Sequence, residues 1–536
     1  MLHLVFCWHF HQPDYRDADG RYQLPWTYLH AVKDYADMAG HLEAQPEMRC
    51  VVNFVPTLTA QLDDYAAQCR NAQTPEDLSD PLLAALLDPH LEALPPPARR
   101  ALVEQCFKLN HPTMLEPFPA YRRLYTLWKM VEEQPAGLDY LSGQYLADLV
   151  TWYHLAWTGE TLRRSRPVLM ALIQQGEGYT LADRRALFDL YAEVLQSLLP
   201  RYRVLAERGQ IELSTTPHSH PILPLLLDFN AAREARSGSP LPEAPAYPGG
   251  EKRALAHVRA AQLDHVRHFG QPPAGFWPAE GGVSEAAVRL MGEAGVRWAA
   301  SGEGVLRHSL AAAGQDLAHK PAWVTRPYRL PGAETMLFFR DDHLSDLIGF
   351  EYKGWFAADA VRHFVHALDS LRQQSHAAQP VLSIILDGEN AWEYYPYNGY
   401  YFLSELYAAL VAQAGVRPGT FSEVLDMDIT PAELPCLVAG SWVYGDFATW
   451  MGDAAKNRAW DWLVAAKAAF DAAPPAAQAA AEPLLMSCES SDWFWWFGDY
   501  NPADAVASFD RVYRQKLTRL YETLAIQPPA YLATPL

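Results

Sequence analysis

Cysteine is scarce in this chain. Six cysteines in 536 residues, at positions 7, 50, 69, 106, 436 and 488, form no CxxC pair and no zinc-type cluster. That excludes a disulfide scaffold and a metal site built on thiolates. Scattered in this way they read as free, mostly buried thiols of a reducing compartment. Basic residues are also in short supply: 43 Lys and Arg face 63 Asp and Glu, a net charge of −20. Such a chain is no general binder of phosphate backbones and is poorly suited to an anionic membrane. No uncharged apolar run reaches the roughly 18 residues of a membrane-spanning helix. The apolar start MLHLVFCWHFHQP lacks a basic n-region and a small-residue cleavage site, so it reads as a first buried strand. The expectation is a soluble cytoplasmic enzyme. No internal repeat, HExxH motif or EF-hand-like loop is present, and no cofactor is expected.

Aromatic residues, by contrast, are abundant. With 17 Trp and 27 Tyr, aromatics make up 12% of the chain, and half of all residues are hydrophobic. The length allows two to four domains with a substantial core. Tryptophan at this frequency serves either core packing or the stacking of pyranose faces, and composition alone does not choose between them.

Along the chain, short apolar runs end repeatedly in polar clusters. Leu2 to Trp8 runs into HFHQPDYRD, IELST (Ile211 to Thr215) into PHSHP, and GFW (Gly275 to Trp277) into PAEGG. VRWAA precedes SGEG, MLFF precedes RDDHLSD, and VLSIIL precedes DGENAWE. Helical patterns lie between several of these runs. Alternating strands and helices predict a mainly parallel sheet, and polar strand ends gathered at one mouth predict a barrel. From about 60 to 205 the spacing is helical, predicting a long insertion. Residues 1–415 are expected to form the barrel domain, and 416–536 a C-terminal helical domain that completes the cleft. The loop Ser237 to Gly250 is expected near the mouth, and the Ala/Pro stretch Ala472 to Ala481 reads as a linker.

Two strand ends hold the sharpest candidates for chemistry. Glu280 follows a Trp-Pro corner and precedes two glycines; Asp387 leaves a buried strand directly. Two carboxyl groups on different strand ends, among aromatics, fit glycosidic bond cleavage. Histidines cluster at the same ends: His9, His11, His218, His220 and His343. Sugar contact, a metal and structural roles all remain open for them. CESSDWFWWFGD (Cys488 to Asp499) and GSWVYGDFATWMG (Gly440 to Gly452) bury a domain interface or line a cleft.

HQP at 11–13, GQIEL at 209–213, FWPAE at 276–280, LDGENAWE at 386–393 and SSDWFWWFG at 490–498 occur in that order. Together they resemble the five sequence regions of glycoside hydrolase family 57, and their variants look most like its amylopullulanase-type members. The resemblance spans nearly the whole chain. It implies an α/β fold, an incomplete (β/α)7 barrel with a helical insertion followed by a helical domain. It implies retaining action on α-glucans such as maltodextrin, glycogen or pullulan, at α-1,4 bonds and with α-1,6 bonds left open. Glu280 takes the family's nucleophile position and Asp387 its acid/base position. His11 and Glu212 are implied to surround the cleaved sugar, with Asp492, Trp493 and Trp495 contributed by the helical domain. Gln12, His218, His220, Trp277, Asp342, His343, Glu389, Trp392 and Trp442 complete the expected substrate-binding set, and no metal is expected. Retention further implies the two catalytic carboxyl groups about 5–5.5 Å apart.

The chain departs from the family's usual third region at Pro278-Ala279, where proline stiffens the approach to Glu280. A missing signal peptide and missing extra C-terminal modules favour an intracellular role. A 4-α-glucanotransferase using the same carboxyl groups is the alternative within the class, with a branching enzyme behind it. A zinc-dependent α-mannosidase-like hydrolase and a non-catalytic glucan-binding protein are the alternatives outside it. The first loop has no Asp where zinc would want one, and both candidate carboxyl groups are intact.

Overall fold

The computed structural model describes every residue of the chain except Pro135. Among the described residues ten strands occur: β1 (Leu2–Phe10), β2 (Cys50–Phe54), β3 (Ile211–Thr215), β4 (Gly275–Phe276), β5 (Trp298–Ser301), β6 (Tyr328–Arg329), β7 (Met336–Phe339), β8 (Val381–Asp387), β9 (Val416–Gly419) and β10 (Ala432–Glu433). Seven of them follow one another side by side in parallel, in the order β7-β5-β4-β3-β2-β1-β8. The sheet curls far enough for its two ends to touch. Arg340 at the end of β7 bridges Ser383 of β8, where the Asp341 N–H donates to the Ser383 carbonyl at 2.9 Å. The barrel is therefore incomplete: a two-residue β4 and a single bridge stand where full ladders would. No helix among the described residues is long and apolar enough to cross a membrane.

Strand alternation builds the interior. Val5 and Cys7 of β1, Val51 of β2, Trp298 and Ala300 of β5, Phe338 of β7 and Val381 and Ile385 of β8 pack together inside the barrel. Their neighbours Leu4, Phe6, Trp8, Val52, Leu382 and Ile384 face outward into the helical layer. Strands buried on both faces in this way are near-continuous hydrophobic runs, which is how they read in the sequence. The short helix Phe421–Leu425 closes the barrel floor, with Phe421 and Val424 joining the interior cluster.

The helical insertion lies between β2 and β3. It runs from the helix Pro56–Cys69 to the long helix Leu181–Glu207, whose start is fixed by a Thr180–Asp183 capping box. The C-terminal helical part begins later than expected. β9 pairs with β1 and β10 with β6, so residues just past 415 still belong to the sheet. Its helices are Ala454–Ala472, Pro475–Cys488, Ser491–Trp496 and Ala503–Thr523. Most of the Ala/Pro stretch read as a linker is the first turns of the second helix, since alanine favours helix and proline is tolerated at its start. The loop 237–249 packs on this region through Asp461, which accepts from the Glu243 and Ala244 N–H groups.

A buried ionic cluster joins the C-terminal helices to the barrel layer. Glu489 accepts two bonds from Arg253 at 2.7 Å, one from His257 at 2.7 Å and one from the Tyr247 hydroxyl at 2.6 Å. These partners overcome the cost of burial and hold the Glu489 carboxyl down at about 2. The next residues, Ser490 to Asp492, are thereby delivered to the barrel mouth.

Candidate active site

Inward-facing residues at the strand ends come first. In register, His9 of β1 sits beside Asp387 of β8 and Asn53 of β2, and Asn53 beside Ser214 of β3. The layer is tied together by hydrogen bonds. His9 Nδ1 bonds Asn53 Oδ1 at 2.7 Å, Asn53 donates to Ser214 Oγ at 3.0 Å, and Thr216 donates to Asn53 Oδ1 at 3.0 Å. Burial pushes the His9 imidazole down to about 3, so it is neutral at physiological pH.

Above that layer His11 and His220 stack face to face, ring centres 3.9 Å apart and planes within 15°. His11 Nε2 donates to Asp492 Oδ1 at 2.8 Å, and Ser490 Oγ donates to the other oxygen at 2.8 Å. His220 Nδ1 bonds Ser491 Oγ at 2.8 Å and lies 4.0 Å from Glu280. Burial, with the two neighbouring histidines, holds His220 well below its usual value.

Glu280 adopts a left-handed backbone conformation, φ 58°, that few non-glycine residues hold. Its Oε2 accepts from the Trp442 indole N–H at 2.9 Å, and its carbonyl accepts from the Trp442 N–H at 3.0 Å. Gly281 follows at φ 59°, where a Cβ would come within 2.7 Å of the Trp277 ring. Burial first, then the charges of Asp387 and Asp492, push Glu280 up to about 8, against the lowering bond from Trp442. Burial also raises Asp387, opposed by a 2.7 Å bond from Asn390 and by the nearby His11 and Arg340. Glu389 is raised well above its usual value by burial and by the Asp387 charge. It is held by Gln12 at 3.4 Å, and its Oε2 has no partner.

These groups line one cleft of about 760 Å³. Its wall comes from four parts of the chain: Trp26, then Trp157, then Trp442, then Trp495 and Trp496. Of the expected residues, His11, Gln12, Glu280, Asp387, Glu389, Trp442, Asp492 and Trp495 meet there, and His220 stands directly behind them.

The others lie elsewhere. Glu212 faces the barrel interior one layer below Ser214, beside Val51 and Cys7, roughly 7 Å deeper at strand rise. There it binds Trp298 Nε1 at 2.7 Å and Ser422 at 2.8 Å, tying the floor helix to the barrel. Trp277 is wholly buried within the barrel, Trp392 packs between Trp8 and Tyr395, and Trp493 packs on Tyr513 in the helical core. His218 bonds its neighbour Ser219. His343 is exposed, because it follows Asp341, the N-cap of a short helix that turns it outward. Asp342 is occupied by Arg340 at 3.0 Å.

Residues not anticipated include Arg340, whose guanidinium lies over the Trp442 ring at 5.4 Å and binds Asp342 and Asp346. The polar cluster RDDHLSD marks its position in the sequence, at the end of β7. Lys108, Asn110 and Trp157 reach the cleft from the insertion and Trp26 from the helix Trp26–His30 after β1, and nothing in their local pattern distinguishes them from helix-packing residues.

His11, His220 and Asp492 each offer a ligand atom within 4.8 Å of the others. The ring stack opposes a shared cation: lone pairs lying in two parallel planes run alongside each other and do not converge on one point. Their donor set fits hydrogen bonding to hydroxyl groups better than metal coordination.

The sequence profile of glycosyl hydrolase family 57 matches residues 5–437. The chain belongs to that family. No curated protein matches the sequence. Among solved structures, the family-57 chain is similar to a branching enzyme from Thermococcus kodakaraensis solved with glucose, at 14% identity over 97% of this chain and 90% of that one (TM-score 0.62). It is similar to an α-amylase from Thermotoga maritima at 14% identity over 99% of both chains (TM-score 0.53). It is also similar to a 4-α-glucanotransferase from Thermococcus litoralis at 15% identity, covering 97% of this chain and 59% of that one (TM-score 0.52). At these identities the likeness is one of fold, and it agrees with the curled parallel sheet and the helical C-terminal part.

Proposed function

We propose that the chain is a retaining enzyme acting on α-glucans. Glu280 attacks the anomeric carbon as the glycosidic C–O bond breaks, and Asp387 protonates the departing oxygen. A β-glycosyl-enzyme results. Asp387, now ionised, takes a proton from water or a sugar hydroxyl, whose oxygen displaces Glu280 and restores the α-configuration. The observation that carries this reading is that Glu280 and Asp387, from the ends of β4 and β8, line one indole-walled cleft in which the charge of one raises the other.

The electrostatics supply the proton the reaction needs. Burial raises both carboxyl groups, so below about pH 8 the pair retains one proton. The reactive form carries it on Asp387. The Trp442 N–H bond favours that form, because it stabilises ionised Glu280. His11, Asp492 and Glu389 offer hydroxyl partners around the cleaved sugar, and the tryptophans offer stacking faces.

Within the family we favour amylopullulanase-type hydrolysis of α-1,4 bonds in maltodextrin or glycogen, with pullulan testing α-1,6 action. Six unpaired thiols, five of them buried, fit a reducing, intracellular setting. Indoles from four separate segments favour a second reading, a glucanotransferase, since they provide faces for an acceptor as well as a donor. Incubation with maltoheptaose, following chain lengths and reducing ends, separates the two. Shorter products with rising reducing ends support hydrolysis. Longer and shorter products at constant reducing ends support transfer. No change in any α-glucan would overturn both.

A further inference from the structure

Three tyrosines of the turn that follows β8 stand open to solvent: Tyr394, Tyr397 and Tyr401, with 45%, 58% and 45% of their surface exposed. Exposed aromatic side chains ordinarily move freely among rotamers, yet each of these is held by a different device. Lys353 lies over the Tyr394 ring at 4.8 Å. Tyr397 sits at φ 53°, in a run of three left-handed residues completed by Asn398 and Gly399, where Asn398 donates to Asp37 at 2.9 Å. A left-handed tyrosine is a strained conformation that persists only where its surroundings impose it. Arg164, reaching across from the insertion, donates to the Tyr401 hydroxyl at 3.1 Å with its guanidinium 5.2 Å from that ring. Arg164 is in turn fixed by Glu160 at 2.9 Å. Tyr401 meets Tyr397 edge-on at 5.5 Å.

We propose that these tyrosines form an outer binding platform for an α-glucan chain, continuous with the catalytic cleft. Tyr394 itself lines the cleft rim, so a polymer leaving the carboxyl pair on that side passes onto the platform. Fixed, exposed rings suit pyranose faces: the ring covers the apolar C–H face, the phenol hydroxyl can still donate to a sugar oxygen, and little ordering entropy is lost on binding. The occupant is an α-glucan long enough to span both cleft and platform. This inference rests on the α-glucan reading above.

The test uses the full-length protein, a Tyr397→Ala/Tyr401→Ala variant and the conservative Tyr397→Phe/Tyr401→Phe variant. Glycogen affinity is read by native electrophoresis in glycogen gels. Turnover is read on glycogen and on maltotetraose, a short chain that reports on the cleft residues alone, since Tyr397 and Tyr401 do not line the cleft. The alanine pair should weaken glycogen affinity, and raise KM for glycogen, about 3- to 10-fold, with constants for maltotetraose unchanged. The phenylalanine pair should behave as wild type. Undiminished glycogen affinity in the alanine variant overturns the platform, as does a parallel loss on maltotetraose. A wild-type dimer that the alanine variant dissociates, with glycogen affinity retained, would make the surface a contact between two copies. If wild type turns over no α-glucan, the catalytic reading fails; the platform survives only if glycogen still binds through the tyrosines.

Discussion

The indole N–H of Trp442 lies 2.9 Å from Oε2 of Glu280, 162 residues away in sequence. That bond favours the charged form of the carboxyl group, against burial and two nearby acids. The bond therefore sets how readily Glu280 gives up its proton.

Replacing Trp442 by Phe removes the donor and keeps an aromatic ring. Glu280 then binds its proton more tightly. The alkaline limb of the pH–rate profile should move above about 8, while the maximal rate falls roughly 10-fold or more, as for loss of a hydrogen bond to a charged group. Measuring kcat/KM from pH 4 to 10 decides the matter; an unmoved limb would refute this role of the bond.

Asp492→Asn acts in the opposite direction. The Asp492 charge raises Glu280, so neutralising it should bring the alkaline limb below that of wild type. Loss of the carboxylate acceptor for His11 should also raise KM. A limb that moves upward in this variant contradicts the electrostatic account.

Glu280→Gln and Asp387→Asn should each lower turnover by about 1,000-fold or more, given their roles in both chemical steps. Circular dichroism should remain that of wild type and the melting temperature should be no lower, since burial disfavours the charge of both carboxyl groups. NMR of the first product should show the α-anomer, and an initial β-anomer would exclude a retaining pair.

Gly281→Ala imposes a Cβ at φ 59° within 2.7 Å of the Trp277 ring. The expected cost is about 1–3 kcal/mol, read as a lower denaturation midpoint, with a loss of activity because Glu280 precedes it. A variant as stable and active as wild type would show that this turn tolerates a side chain.

Glu489 couples the C-terminal helices to the barrel layer and titrates at about 2 in the fold, against an ordinary value of 4.5. Its folded value is depressed, so its contribution is present above the unfolded value and is lost as pH falls from about 4.5 towards 2. That contribution is about 3 kcal/mol at neutral pH. Glu489→Gln should be markedly less stable than wild type at pH 7, with the gap narrowing below about pH 4.5. A gap independent of pH would assign the effect to packing alone.

The strands and the carboxyl pair were legible because they rest on local patterns. Apolar runs such as VLSIIL must be buried, and a charged residue straight after one must emerge at a strand end, as Asp387 does. The five motifs were readable for the same reason, being contiguous. The depth of Glu212 was not legible because a motif carries no depth: alternation along β3 points it inward, one layer below the mouth, where Trp298 and Ser422 claim it. The late strands β9 and β10 are not legible in the sequence because each is short and carries Pro or charge, and only pairing with β1 and β6 makes them strands.

The sequence alone determined the alternation of buried strands and helices, the acidic and aromatic character, the family, and the two carboxyl groups at strand ends. These depend on composition and near-neighbour spacing, which the chain carries before it folds. Only the tertiary structure decided which tryptophans face the cleft and which fill the core, how Trp442 meets Glu280, and how the two histidine rings stack. Each of these joins residues tens to hundreds of positions apart, and their distances exist only once the barrel has curled and the C-terminal helices have docked upon it.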